Sequence, residues 1–81
     1  MPVTVYTRTT CAPCGMVKTF LQKKGVKYEE KNLDDHPEFS AEAFEKSGFA
    51  MVPVTVIGDH VVSGMNIPLL SELLNGIMQT S

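Results

Sequence analysis

Positive charge is scarce in this sequence: seven Lys and Arg stand against nine Asp and Glu, for a formal net charge of −2. Nucleic acid or an anionic membrane surface calls for a basic face, and no basic stripe is present, which argues against both as partners. Long apolar runs are also missing. The most apolar stretch, residues 49–57, falls far short of the roughly 20 residues that cross a bilayer, so no transmembrane helix is expected. The first residues open directly on strand-like alternation, without the charged and apolar regions of a signal peptide, and the expected compartment is the cytoplasm. Internal repeats, linkers and low-complexity tracts are absent, and 81 residues allow one domain, 1–81, with one modest core. Cysteine is confined to Cys11 and Cys14. A reducing compartment disfavours a structural disulfide between them and turns attention to redox or metal chemistry.

What is present reads as an ordinary globular α/β chain, 43% hydrophobic and 20% charged. Val3, Val5 and Tyr6 crowd β-branched and aromatic residues into a first strand. From Ala12 to Lys24 the residues Met16, Val17, Phe20 and Leu21 recur at helical spacing, and Gly25 supplies a stop. The stretch "VKYEE" sets Val26 and Tyr28 against Lys27 and Glu29, an edge strand with one wet side. Asp34 and Asp35 precede a first-turn Pro37, then Phe39, Ala43 and Phe44 lead to Gly48, predicting a short capped helix. Two β-rich runs flank the hairpin turn Gly58-Asp59. Leu70, Leu73, Leu74 and Ile77 place a last amphipathic helix over the sheet. The order is β-α-β-α-β-β-α, with the first two strands parallel, the last two antiparallel, and a four-stranded mixed sheet flanked by three helices.

Cys11 falls where the first strand hands over to the first helix. Unpaired backbone N–H groups and the positive end of the helix dipole stabilise a thiolate there, with Arg8 nearby to add to the effect. Cys14 lies one turn inside and more shielded. That asymmetry assigns Cys11 as the attacking sulfur and Cys14 as the resolving one. Pro13 stiffens the turn where helix donors are unpaired in any case. A zinc site remains open as an alternative, but no second cysteine pair follows, and His36 and His60 read as surface residues at a helix start and a hairpin turn.

The segments "VTVYTRTTCAPCGMVKTFLQKKGVKYEEKNLDDHPE" and "MVPVTVIGDHVVSG" resemble the glutaredoxin family over nearly the whole chain. They are most similar to its small glutaredoxin-like branch, the NrdH-redoxins, hydrogen donors to ribonucleotide reductase. The resemblance rests on the strand ending in Tyr6-Thr7, the C-x-x-C, the Val52-Pro53 step before a strand and Ser63-Gly64 after the hairpin. It implies a thioredoxin fold, a cis peptide bond before Pro53, and a substrate backbone docking on Val52 beside Cys11 as a short added strand.

It also frames the choice of electron donor. Glutathione-using glutaredoxins have a tyrosine between the cysteines and a Gly-Gly-x-Asp-Asp-like segment; this chain has Ala12-Pro13 and "VSGMNIP". Asn66 offers the tripeptide's amino group only a neutral hydrogen bond and reads more simply as a helix cap, although Arg8 remains able to reach a glutathione carboxylate. NrdH-redoxins take electrons from thioredoxin reductase, and Ser63-Gly64 matches them, whereas Met65-Asn66-Ile67-Pro68 departs from their aromatic-Arg-Pro continuation. Ala12, Pro13, Met51, Val52 and Met65 form a candidate docking patch, Gly64 admits close approach of a partner chain, and Arg8 and Lys18 are available to steer an acidic partner.

The expected molecule is a monomeric thiol-disulfide oxidoreductase with a working Cys11–Cys14 disulfide and no bound cofactor or metal. NADPH electrons reach it through thioredoxin reductase and pass to ribonucleotide reductase or another disulfide protein. The alternatives are a glutathione-dependent glutaredoxin and, in a different class, a protein binding an iron-sulfur cluster or zinc through Cys11, shared across a dimer.

Overall fold

The computed structural model describes residues 3–48 and 51–79, and of 76–79 the backbone alone. Strand β1 (Val3–Thr7) leads into helix α1 (Ala12–Lys23), followed by β2 (Glu29–Asn32), α2 (Glu38–Ser47), β3 (Val54–Ile57), β4 (His60–Ser63) and α3 (Ile67–Gln79). The strands lie in the order β2-β1-β3-β4, with β1 parallel to β2 and antiparallel to β3, and β3 antiparallel to β4. This is the architecture of the thioredoxin fold, and β2 takes the edge that its wet side suggested.

Central strands must be covered on both faces, and β1 and β3 are. Val3 and Val5 pack with Val17, Leu21, Ile57, Val62, Leu70 and Leu74, which seats α1 and α3 on one face. Tyr6 and Val54 pack with Leu33 and Ala43, which seats α2 on the other. Burial pushes the Tyr6 hydroxyl up to about 12, helped by its bond to Glu42. The Gly58-Asp59 turn closes β3 on β4 with Gly58 at φ 60.

Several expectations shift. The second strand begins at Glu29 rather than Val26, because Val26 still donates its N–H to the Leu21 carbonyl at 3.0 Å and finishes the end of α1. Val26 and Tyr28 instead lean on the core from outside the ladder. Helix α2 starts after Pro37 without a side-chain cap, so Asp34 and Asp35 do not cap it. Met16 and Phe44, placed on apolar faces by periodicity, are exposed. The expected core contact of Ile77 lies outside the described side chains, as do Phe49 and Ala50 of the apolar run.

Thr55 is fully buried, faces Val5 and Val62 across the ladder, and its hydroxyl has no partner among the described residues. An unpaired buried hydroxyl costs free energy that an isosteric methyl does not. Thr55→Val is therefore expected to raise stability by about 1 kcal/mol in urea unfolding; a loss of stability would show that the hydroxyl is satisfied.

Candidate active site at one end of the strands

Sheet register gathers the sequence-predicted residues. Tyr6 of β1 stands opposite Val54, and Val54 opposite Ser63, while Thr7 pairs with Asn32. The segments 8–11, 33–37, 51–53 and 64–66 therefore all emerge at the same end of the strands. Gly64, at φ 76, donates its N–H to the Pro53 carbonyl at 2.8 Å, tying the last two together. The Val52–Pro53 peptide bond is cis.

Cys11 is the N-cap residue of α1, with Pro13 at the second helical position and no acidic residue in the first turn to compete for the positive helix end. Cys11 and Cys14 form a disulfide with their Cα atoms 5.2 Å apart. The Cys14 N–H donates to Cys11 Sγ at 3.2 Å, and the Gly15 N–H to the Cys11 carbonyl at 3.2 Å. Cys14 is 1% exposed and belongs to the buried stripe of α1 with Val17 and Leu21, whereas Cys11 is only half-buried. Cys11 Sγ thus occupies an acceptor position at a helix N-terminus, a setting that favours a thiolate over a thiol.

Around the cysteines, Ala12 and Pro13 are exposed, Pro53 is buried, and Val52, Ser63 and Gly64 are half-buried. Met51 and Met65 are 49% and 43% exposed. A groove of about 490 Å³ runs along α1 from Ala12 past Met16 to Lys23 and reaches Ile67. Two residues take other parts. Asn66 spends its Oδ1 on the Leu69 N–H at 3.4 Å, capping α3. Arg8 is ion-paired to Asp34, Nη1 to Oδ1 at 3.2 Å, so its cation is shared with a carboxylate instead of being free for a glutathione carboxylate. Lys18, read as a steering charge, pairs with Glu30 at 3.0 Å.

Two carboxylates, Asp34 beside the site and Glu30 within β2, take parts that sequence reasoning missed. Asp34 accepts the Thr9 N–H at 2.7 Å as well as Arg8, and these bonds, that from Thr9 foremost, hold its carboxyl below the usual range. Glu30 accepts the hydroxyl of fully buried Thr7 at 2.7 Å and Lys18 on the same oxygen. The Thr7 bond is the main cause of its lowered carboxyl. A depressed carboxyl contributes stability above the ordinary carboxylate range and loses it as pH falls through the folded value. Thr7→Val removes the leading donor, so the Glu30 titration, followed by NMR, should move up and acid unfolding should begin at higher pH; an unmoved titration would assign the depression to Lys18. Among the described residues, no group of three or more His, Cys, Asp or Glu side chains is placed to hold a metal ion, and no helix is long and apolar enough to cross a membrane.

Comparison with known proteins agrees with this arrangement. The family model for glutaredoxin matches residues 3–62. The chain is 36% identical over 73 residues to the glutaredoxin-like protein NrdH of Escherichia coli K12, covering 90% of this chain and 89% of that one. Among solved structures it is similar to the Escherichia coli NrdH-redoxin, described there as having a thioredoxin-like activity profile, with a TM-score of 0.79 at 36% identity, covering 90% of this chain and 95% of that one. The Archaeoglobus fulgidus glutaredoxin grx-1 superposes with a TM-score of 0.83 at 32% identity, covering 89% of this chain and 84% of that one.

Proposed function

The chain belongs to the glutaredoxin family and is a thiol-disulfide redox protein of the NrdH type, and on that footing we propose that it carries two electrons from NADPH, through thioredoxin reductase, to protein disulfides, that of ribonucleotide reductase among them. The chemistry proceeds in two exchanges. The Cys11 thiolate attacks a substrate disulfide, one substrate sulfur leaves as thiolate, and Cys11 is joined to the other. The Cys14 thiolate then attacks Cys11 Sγ and expels the second substrate thiolate, leaving the substrate reduced and Cys11–Cys14 oxidised. The reductase returns the two electrons.

The observation that carries this reading is the unequal setting of the two sulfurs, Cys11 at the helix N-cap and half-exposed, Cys14 buried. Ala12, Pro13, Met51, Val52 and Met65 would form the apolar docking patch, with Val52 and Pro53 holding an extended substrate segment and Ser63 and Gly64 allowing its approach. Thioredoxin reductase is favoured over glutathione because Arg8 and Asn66, the side chains considered for the tripeptide, are engaged by Asp34 and by the cap of α3. On this reading the protein works as a monomeric domain over 1–81 in the cytoplasm, without a bound cofactor.

The test is ribonucleotide reductase turnover with this protein as the only redoxin, supplied in parallel by NADPH with thioredoxin reductase and by glutathione with glutathione reductase. Turnover in the first arm alone supports the reading. Turnover in the glutathione arm alone would make the protein a glutathione-dependent glutaredoxin.

A further inference from the structure

The loop that presents the nucleophile has little of its own to hold it. Between the end of β1 and the start of α1 stand Arg8, Thr9, Thr10 and Cys11, the first three exposed and none in regular structure. Their anchorage comes from the end of β2, where Asn32 Nδ2 donates to the Thr9 hydroxyl at a long 3.5 Å, and from the loop that follows it. Asp34 Oδ2 accepts the Thr9 N–H at 2.7 Å, and Asp34 Oδ1 accepts Arg8 Nη1 at 3.2 Å. Asp34 is itself held: Asn32 Oδ1 accepts the N–H groups of Asp34 at 2.8 Å and Asp35 at 3.2 Å, and the Leu33 N–H bonds the Thr7 carbonyl at 2.8 Å. One carboxylate thus clasps both the backbone and the cation of the loop leading into Cys11.

We propose that Asp34 is the positioning residue for the nucleophile, its carboxylate fixing the 8–10 loop so that Cys11 Sγ stays at the N-cap of α1 within reach of the Cys14 N–H. The thiolate gains from a helix N-terminus only within the first turn, so a loop free to swing takes the sulfur out of the favourable field. The bond to the backbone carries the effect. The bond to Arg8 is between exposed partners, screened by solvent, and adds little.

Two substitutions separate position from charge. Asp34→Asn keeps an oxygen to accept the Thr9 N–H and removes the negative charge, leaving Arg8 unpaired. Asp34→Ala removes both, and Asp34→Ser, whose oxygen is too short to reach, serves as a second truncation should the alanine variant fold poorly by circular dichroism. The inference rests on Cys11 as the attacking sulfur, so each substitution is made in a Cys14→Ser background and the rate of Cys11 alkylation by iodoacetamide is followed against pH.

Asp34→Ala and Asp34→Ser are expected to raise the Cys11 pKa by about half to one unit, the scale of one lost hydrogen bond, whereas Asp34→Asn leaves it unchanged or lower. In the chain with both cysteines, the truncations should lower kcat/KM for a disulfide substrate by about three- to tenfold, with Asp34→Asn close to the parent. Equal downward shifts in all three variants would assign the effect to charge, equal upward shifts would show that the oxygen kept by Asp34→Asn does not hold the loop, and no shift in any would leave Asp34 merely structural; each of these overturns the proposal. A parent Cys11 that titrates like an ordinary thiol would instead overturn the reading of Cys11 as nucleophile.

Discussion

Cys14→Ser is expected to trap a covalent complex between Cys11 and an oxidised protein substrate, visible on a non-reducing gel and released by dithiothreitol. Cys11→Ser should form no such complex and should lose at least about a thousandfold in disulfide reductase activity, since removing a nucleophile removes the pathway. The argument is one of access and charge. Cys14 is 1% exposed within the buried stripe of α1, so its sulfur meets another only when that other is brought to it on Cys11. Cys11 is half-exposed and accepts the Cys14 N–H at the N-cap, where a thiolate is stabilised. A trap formed by Cys11→Ser in place of Cys14→Ser would reverse the two roles.

The second large effect is on stability. Leu70 of α3 is fully buried against Val3, Val5 and Leu21, in the cluster that fixes both α1 and α3 to the sheet. Leu70→Ala is expected to cost about 3–5 kcal/mol, lost transfer energy plus the cavity left behind. For a domain of this size that corresponds to a melting point lower by roughly 12–40 °C, a large part of the total stability. Met16→Ala makes the contrast. The residue lies on the same apolar spacing as Val17 and Leu21 but is 55% exposed, so its truncation should cost less than about 1 kcal/mol. Equal losses in thermal unfolding would mean that Met16 is packed after all.

That contrast also marks how far the sequence alone could be read. Leu70, Leu73 and Leu74 declare α3 because a helix repeats its buried face locally, and the C-x-x-C stands where a strand gives way to a helix, a position visible in "VYTRTTCAPC" itself. Periodicity carries no register, which is why the alternation in sequence places the second strand from Val26. Its ladder begins at Glu29, opposite Thr4, once the end of α1 has consumed the Val26 N–H. Nor does it carry the choice of a distant partner. Asp34 reads as a helix cap from its neighbours in sequence, yet parallel pairing of β1 with β2 puts its loop beside residues 8–10, and it bonds Thr9 and Arg8 instead. Arg8 accordingly reads, from sequence alone, as a cation available to a partner. The Thr7 hydroxyl bonded to Glu30 was invisible for the same reason, since 23 residues separate the two.

The most direct test of the account is the stoichiometric reduction of the oxidised protein as the sole disulfide, with NADPH absorbance followed in the presence of thioredoxin reductase and, in parallel, with glutathione and glutathione reductase. The account predicts one NADPH consumed per chain with thioredoxin reductase, both Cys11 and Cys14 then reacting with a thiol reagent, and little reduction in the glutathione arm over the same time. Rapid reduction by glutathione with none by thioredoxin reductase would contradict it.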